Sequence, residues 1–340
     1  MELRLIGIIA KKNEFQIVEE FFQLFKTPWE FYDKEKKYEV VIVSGSNLPV
    51  SEAILTIVFG SEEREIDKEK QFNEQIRPHL STAKRGYECK IPLYKVFNYI
   101  LYRLHTGCQW HPVWIDPDAV DPRKKEISYH AVYYHFRKWS RDGSLEKVWQ
   151  SSIMTIETDL NLSELNLDGS HAIAKKGGES VAYQGRKKAK TTNILPITDG
   201  EGFIIASTGL IAGNHNDAYN LKPHLQVAFK SMKRLGLDIG GAFFNADKAF
   251  DTKAARKTCF NHGLIPNMDV NKRNRKVTKR GRKRLFDKEV YKHRFTSERS
   301  FAWIDKFRAL LLRFDRKDVY FFGAHCIAFA MINLRHVFDH

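Results

Sequence analysis

Apolar residues in the first 90 positions follow two different periods. A helix over about residues 14–25 is predicted by side chains at helical spacing: Phe15, Val18, Phe21, Phe22 and Phe25. Two short, mainly apolar runs, Tyr38–Val43 and Ala53–Phe59, predict strands. Residues 1–90 are therefore expected to form a small α+β module, and no motif in them indicates a chemistry.

From residue 91 to 157 the apolar pattern is helical. The first helix has one apolar face, made by Leu93, Val96, Phe97, Ile100, Leu101 and Leu104. Ser128 is the expected N-cap of a second helix, on which Arg137, Lys138 and Arg141 lie off the apolar face. Three short helices, one of them basic, are typical of a helix-turn-helix-like DNA-binding domain. The alternative is an ordinary helical bundle whose basic residues keep it in solution.

Residues 158–340 combine short strands with helices. Three strands are predicted first, and Asp199-Gly200 marks the turn between the last two. The strands span Leu165–Ala174, Thr192–Ile197 and Phe203–Ala212. A helix, an apolar strand, a helix, a strand and a last helix follow. This α/β order is compatible with a ribonuclease-H-like catalytic domain.

The chain is strongly basic, with 56 Lys and Arg residues against 41 Asp and Glu, a formal net charge of +15. Nucleic acid is the expected partner, and a merely solvated basic surface is the alternative. The densest cluster extends from Lys272 to Arg284 and includes Lys279, Arg280, Arg282 and Lys283. A second cluster, expected on a hairpin that faces DNA or only solvent, is formed by Arg186, Lys187 and Lys188.

The location is expected to be cytoplasmic. The four cysteines have no paired spacing of the kind that zinc sites or disulfide frameworks use, so reduced thiols are expected. The apolar stretch Val319–Val337 approaches the length of a membrane span but contains His325, Asn333, Arg335 and His336. We expect a buried terminal helix there and no contact with a membrane.

Three separated acidic residues carry the candidate chemistry. Asp168 lies in an extended run, and Asp247 directly follows an apolar strand. Glu298 is expected in the first turn of a helix capped by Thr296 or Ser297. Each alone is well explained as a cap or a surface charge. Together, three carboxylates can hold two divalent cations over a phosphodiester, which in a basic protein indicates cutting and joining of nucleic acid.

Several motifs resemble the DDE transposases of bacterial insertion sequences, specifically the IS5-like group of the IS4-like superfamily. In the catalytic part they are Leu167–Ser170, Ala212–Asp217, Ala246–Asp251 and Ser297–Trp303. In the preceding helical part they are Leu104–Trp110 and Tyr133–Gly143. The resemblance covers the chain from about residue 90 onward. It implies a ribonuclease-H-like fold in which Asp168, Asp247 and Glu298 hold two Mg²⁺ or Mn²⁺ ions.

The same superfamily carries a tyrosine, arginine, glutamate and lysine signature around its last acid. Tyr291, Arg294 and Glu298 match it with the expected gaps, but Asp305 stands at the lysine position and Lys306 follows. The resemblance thus implies a supporting, phosphate-binding role for Tyr291, Arg294 and Lys306.

His215 and Asp217 follow the third strand. They are candidates for a supporting role beside the metal ligands, and a simple loop and helix cap is an equal alternative.

The resemblance implies a DNA transposase, associated with the nucleoid, that binds the terminal inverted repeats of an insertion element in double-stranded DNA. It would cut phosphodiesters and join the 3′ ends to target DNA. Because both ends must be held together, a homodimer or larger synaptic complex is expected. Two alternatives stay open: a ribonuclease-H-like nuclease without strand transfer, and a domesticated, inactive DNA-binding protein.

Overall fold

The structure is a computed structural model of the 340-residue chain. It describes Phe15, Val18, Glu19 and residues 6–10, 28–38, 40–44, 55–59, 69–82, 89–216, 218–270 and 285–338. The chain divides into two compact units, Met1–Gln71 and Phe72–His340. This division falls earlier than the boundary expected near residue 90.

The first unit contains a four-stranded sheet. Its strands are β1 (Ile6–Ile9), β2 (Trp29–Phe31), β3 (Val40–Ser44) and β4 (Leu55–Phe59), in the order β2-β1-β3-β4 with parallel pairings. The two predicted strands are thus confirmed: Tyr38–Val43 corresponds to β3, and Ala53–Phe59 corresponds to β4. Buried Val41 and Val43 pack with Tyr38 as a small core. Most of the predicted helix over 14–25 lies outside the described residues.

The second unit begins with two short helical turns, Phe72–Ile76 and Arg77–His79. Helices α1 (Leu93–Thr106), α2 (Tyr129–Arg141) and α3 (Ser144–Thr155) follow. Gly107 ends α1 with a φ of 68°. The Ser128 side chain caps α2, as predicted, by accepting from the N–H of Ala131.

Each of the three predicted long strands is in fact a pair of short strands, so this part of the prediction is wrong. The six strands are β5 (Glu164–Leu167), β6 (Ser170–Ala174), β8 (Ala189–Ile194), β9 (Pro196–Thr198), β10 (Ile204–Ser207) and β11 (Ile211–Ala212). A further strand, β7 (Ala182–Gln184), pairs with β8. The chain bends between the halves, at Asp168-Gly169 in the first pair, and the halves enter two different sheets.

The sheet that carries the candidate site has the order β10-β9-β5-β12-β13. Strands β12 (Phe243–Ala246) and β13 (Ile265–Met268) run parallel to β5, whereas β9 pairs with β5 in antiparallel orientation and β10 pairs with β9 in antiparallel orientation. Helices α4 (Leu221–Arg234) and α5 (Lys253–Asn261) precede β12 and β13. From α4 to β13, the predicted order of helix, strand, helix and strand is confirmed.

Four helices complete the chain: α6 (Lys288–Lys292), α7 (Phe295–Asp305), α8 (Arg308–Leu311) and α9 (Asp318–Phe338), with strand β14 (Leu312–Arg313) before the last. The second sheet has the order β11-β8-β6-β14. Helix α9 is largely buried, as predicted for Val319–Val337. No helix within the described ranges combines the length and apolar character needed to span a bilayer.

Helices α3 and α9 dock on the edge strand β10. The Asn333 side chain accepts from the N–H of Ile204 (2.9 Å) and donates to its carbonyl (3.0 Å). The indole N–H of Trp149 donates to the same carbonyl at 2.9 Å. These contacts cover an otherwise unpaired sheet edge and join helical and α/β parts in one hydrophobic core. A separate DNA-binding domain over 91–157 stays a prediction.

Candidate active site

Asp168 and Asp247 lie side by side at the carboxyl ends of two strands in the sheet β10-β9-β5-β12-β13. They directly follow the parallel neighbours β5 and β12, in which Leu167 pairs with Ala246. Because paired strands lie roughly 4.8 Å apart, the next residue of each strand brings a carboxylate to the same place. Both aspartates are half-buried. Asp247 directly follows its strand, as predicted. Asp168, which was expected inside one longer strand, instead follows the end of β5.

Local hydrogen bonds orient both carboxylates. Asp168 Oδ1 accepts from the N–H of Gly169 (2.8 Å), and Asp247 Oδ1 accepts from the N–H of Lys248 (2.6 Å). The second oxygen of Asp168 accepts from Arg294 Nη1 at 2.8 Å. One oxygen of each aspartate is therefore fixed by its own backbone, and Asp168 additionally has a cationic partner.

Arg294 and Tyr291 lie beside the two aspartates. Burial lowers the pKa of Arg294, but Asp168, Tyr291 and Asp247 together raise it above its ordinary value. Burial raises the pKa of Tyr291, Arg294 opposes that change, and Asp247 and Asp168 add to it. The guanidinium carbon lies 5.6 Å from the centre of the Tyr291 ring. A charged guanidinium and a neutral phenol thus face both carboxylates, as a phosphate-binding pair would.

Glu298 is in the first turn of α7, as predicted, but its side chain is exposed. Helix α7 begins at Phe295, and Thr296 and Ser297 are buried inside its first turn. The predicted cap by one of these two residues is therefore wrong. Among the described residues, no three His, Cys, Asp or Glu side chains are grouped as metal ligands. The structure brings two of the three predicted acids together and leaves Glu298 apart.

Lys306 follows the last residue of α7. Its ammonium lies 3.5 Å from the centre of the Trp303 ring, a cation–π contact on the same helix end. Its phosphate-binding role stays a prediction.

His215 lies in the loop between β11 and α4. Its ring stacks on that of Tyr219, with centroids 3.5 Å apart and planes 9° apart. Helix α4 begins at Leu221, after Asn220 with a left-handed φ of 48°. The stacking favours the loop interpretation of His215, and Asp217 lies outside the described residues.

The predicted DNA-binding residues fall into three groups. Arg186, Lys187 and Lys188 are exposed at the tip of the β7–β8 hairpin, where a polyanion can reach them. Lys187 Nζ donates to the carbonyl of His171 at 3.3 Å. The third group, Lys279, Arg280, Arg282 and Lys283, lies outside the described residues.

The second group, on α2, has partners inside the protein. Arg137 Nε donates to the Tyr320 hydroxyl at 3.1 Å, and Arg141 lies over the same ring at 5.3 Å. Lys138 Nζ donates to the carbonyl of Ser81 at 3.3 Å. These contacts hold α2 against α9 and the segment before α1. A role of these three residues in reading DNA stays a prediction.

Sequence reasoning missed three buried asparagines, Asn166, Asn245 and Asn267, which lie side by side on β5, β12 and β13. Each precedes an aspartate by two positions, in Asn166-Leu-Asp168, Asn245-Ala-Asp247 and Asn267-Met-Asp269. The repeated Asn-x-Asp pattern at the ends of three apolar strands is the signal that could have found them.

Two family models match the chain. Residues 161–334 match the family described as "Transposase DDE domain", and residues 69–149 match "Putative transposase of IS4/5 family". No curated protein matches the chain.

Three solved structures are similar at low identity. "Mos1 transposase paired-end complex with left transposon end" is 12% identical, with 79% of this chain and 86% of that chain covered and a TM-score of 0.25. "Crystal structure of the Mos1 mariner paired end complex with Mn" is 12% identical, with 83% and 90% covered and a TM-score of 0.24. "Crystal structure of Aa-Ago with externally-bound siRNA" is 10% identical, with 79% and 35% covered and a TM-score of 0.20. Scores this low carry no argument.

Proposed function

The chain belongs to the DDE-domain transposases of the IS4/5 family, and from this premise we propose that it binds the ends of an insertion element, cuts there and joins the free 3′ ends to target DNA. It is an enzyme, a metal-dependent DNA transposase. The observation that carries the finer proposal is the in-register placement of Asp168 and Asp247 at one sheet edge, inside the segment that matches the DDE family.

The mixed α/β architecture supports a ribonuclease-H-like catalytic domain. Three parallel strands, β5, β12 and β13, are flanked on one side by the antiparallel pair β9 and β10. Asp168 and Asp247 follow two of these parallel strands, a position where α/β proteins commonly place ligand-binding residues.

The donor set suits magnesium or manganese. Carboxylate oxygens are the ligands that these hard cations prefer, and Asp168 and Asp247 supply them from adjacent strands. Two such ions, when bound, activate the attacking oxygen and stabilise the leaving oxygen of a phosphodiester. We propose that Glu298 supplies the third carboxylate once its side chain turns toward the two aspartates. That side chain is exposed and can change its rotamer without a movement of α7.

Arg294 and Tyr291 are proposed to orient the DNA backbone. Arg294 offers several N–H donors in a planar fork, of which Nη1 donates to Asp168. A phosphate bound beside the two aspartates would lie near that guanidinium, whose charge compensates part of the repulsion between phosphate and carboxylates. The neutral Tyr291 hydroxyl can donate to the same phosphate. Exposed Arg186, Lys187 and Lys188 extend the basic surface.

The proposal is tested with Asp168→Asn, Asp247→Asn and Glu298→Gln. Each is expected to abolish cleavage of element-end DNA with magnesium or manganese while gel-shift affinity stays near normal, because a ligand is lost without loss of basic surface. The matched control is Glu157→Gln, which neutralises an exposed acid between α3 and β5.

Near-normal cleavage by any of the three variants would contradict the role of that residue. A second assay adds target DNA to the wild-type reaction. Joined products are expected, and hydrolysis alone would contradict the strand-transfer part of the proposal.

A further inference from the structure

The three parallel strands beneath the candidate site are joined by a continuous row of side-chain amides, the asparagine ladder, formed by Asn166, Asn245 and Asn267. Asn245 Nδ2 donates to Asn166 Oδ1 at 3.0 Å, and Asn267 Nδ2 donates to Asn245 Oδ1 at 2.8 Å. All three side chains are buried, with exposed fractions of at most 1%. The backbone registers agree, since Asn245 pairs with both Asn166 and Asn267.

Both ends of the ladder continue into the segment that carries Tyr291, Arg294 and Glu298. Asn267 binds the backbone of Asp287 at two points, accepting from its N–H (2.8 Å) and donating to its carbonyl (2.9 Å). The Asp287 side chain in turn caps α6 by accepting from the N–H groups of Glu289 and Val290. The ladder thus fixes the start of the helix on which Tyr291 lies.

At the other end, Asn166 Nδ2 donates to the carbonyl of Asp199 (3.2 Å) and to Thr296 Oγ1 (3.4 Å). Thr296 lies in the first turn of α7, between Arg294 and Glu298. The ladder therefore contacts the segment both before Tyr291 and after Arg294.

The ladder lies directly below the two aspartates. Side chains two positions apart on a strand point to the same face, and Asn166 precedes Asp168 as Asn245 precedes Asp247. The contacts agree with this geometry, because Asn166 reaches Thr296 and Asp168 reaches Arg294, both on the segment that covers this face.

Buried amides are costly wherever a partner is lost, so they favour one arrangement of neighbouring strands strongly over others. A slip of one residue in β12 would turn Asn245 away from both partners and would also separate Asp247 from Asp168. The same hydrogen bonds that fix the register therefore fix the spacing of the two carboxylates.

We propose that Asn166, Asn245 and Asn267 are positioning residues of the transposase. The ladder holds Asp168 opposite Asp247 and fixes the segment with Tyr291 and Arg294 over them, so that divalent ions and the scissile phosphate meet a preformed site. This inference rests on the proposed function of the two aspartates. All three asparagines are buried, so they act through the residues that they contact.

The test compares Asn245→Leu with Asn333→Leu. Asn333 is an equally buried amide with three hydrogen bonds, to Ile204 N, Ile204 O and Ser152 Oγ, at the far edge strand β10. Both variants are expected to lower the thermal unfolding midpoint. Only Asn245→Leu is expected to weaken Mn²⁺ binding, measured by calorimetry on the DNA-free protein, and to lower kcat of end cleavage, each by about tenfold or more. Its KM for end DNA should be unchanged.

Equal Mn²⁺ affinity and kcat in the two variants at a temperature where both are folded would overturn the proposal and leave the ladder a purely structural feature. Asn245→Ser, whose hydroxyl can both donate and accept, is the second variant. It is expected to give Mn²⁺ affinity and kcat between those of wild type and Asn245→Leu, and wild-type values would also overturn the proposal.

Asp168→Asn separates failure of the ladder from failure of the proposed function. If Asp168→Asn loses Mn²⁺ binding while Asn245→Leu keeps it, only the ladder proposal fails. If Asp168→Asn binds Mn²⁺ as the wild type does, the proposed metal site itself fails.

Discussion

The ion pair between Arg294 and Asp168 is expected to weaken the binding of divalent ions by the two aspartates. The guanidinium occupies one oxygen of Asp168 at 2.8 Å, and its positive charge repels any cation that approaches Asp247. In the DNA-free protein we therefore expect it to compete with divalent ions. We expect DNA to reverse this effect, because a phosphate offers Arg294 another anionic partner.

Arg294→Gln is accordingly expected to bind Mn²⁺ severalfold more tightly than the wild type without DNA, yet to cleave element ends poorly, because the phosphate contact is lost. Calorimetry measures the first effect and end cleavage the second. The matched control is Arg299→Gln, five residues further along in α7, where the side chain is exposed and donates to the carbonyl of Glu201. Weaker or unchanged Mn²⁺ binding by Arg294→Gln would contradict this competition.

Individual residues show which parts of the site could be predicted from the sequence. Asp168 and Asp247 were identifiable because Asp168 lies in an extended run and Asp247 directly follows an apolar strand, each within a motif of a known family. The asparagines were not, since each Asn taken alone is typical of a turn. Their role depends on a register among β5, β12 and β13 that joins residues 79 and 22 positions apart. The position of Glu298 relative to the aspartates depends on the rotation and packing of α7, which a local pattern does not specify.

At the level of elements, two basic surfaces differ in what their charges contact. The hairpin tip between β7 and β8 presents Arg186, Lys187 and Lys188 to solvent, whereas Arg137 on α2 is bound to Tyr320 of α9. Both appeared as basic clusters in the sequence. The difference arises from the docking of α9 on α2, a contact between distant parts of the chain.

Replacing Arg186, Lys187 and Lys188 with Gln is expected to weaken DNA binding similarly for all sequences. Each lost phosphate contact should reduce the slope of log affinity against log salt by about 0.9. Thermal stability should be unchanged because the three side chains are exposed. The control replaces the exposed cations Lys230, Lys233 and Arg234 near the end of α4, which removes the same charge.

An unchanged salt slope in the hairpin variant, or an equal change in the α4 control, would show that the hairpin makes no specific phosphate contact.

For Arg137→Gln the expected result differs. It should lower the unfolding midpoint, because α2 loses its hydrogen bond to Tyr320.

The strands show a similar limit of sequence prediction. Apolar runs identified the correct segments, and Asp199-Gly200 identified a real turn, in which Asp199 Oδ1 accepts from the N–H groups of Glu201 and Phe203. The bends that divide each run between two sheets were not predicted. An alternating pattern continues through a bend when both halves stay buried, so periodicity alone does not reveal it.

For the whole molecule, the second unit is built around α9, the last helix in the sequence. It packs against α2 and α3, with the ring centroids of Phe329 and Trp149 5.1 Å apart, and its Asn333 binds the edge strand β10. Residues far apart in the chain thereby form one core. The helical segment 91–157 and the catalytic segment are therefore expected to unfold together, although the sequence pattern separates them.

This shared core leads to a prediction about fragments. A fragment of residues 91–157 would expose the faces of α2 and α3 that α9 covers, including buried Phe136 and Trp149. Exposing each such side chain costs about 2 kcal/mol, a large share of the roughly 5–15 kcal/mol that stabilises a domain. The fragment is therefore expected to lack a cooperative thermal transition in circular dichroism. A fragment of residues 69–340 keeps α9 and should unfold cooperatively. Cooperative unfolding of 91–157 alone would instead establish it as an independent domain.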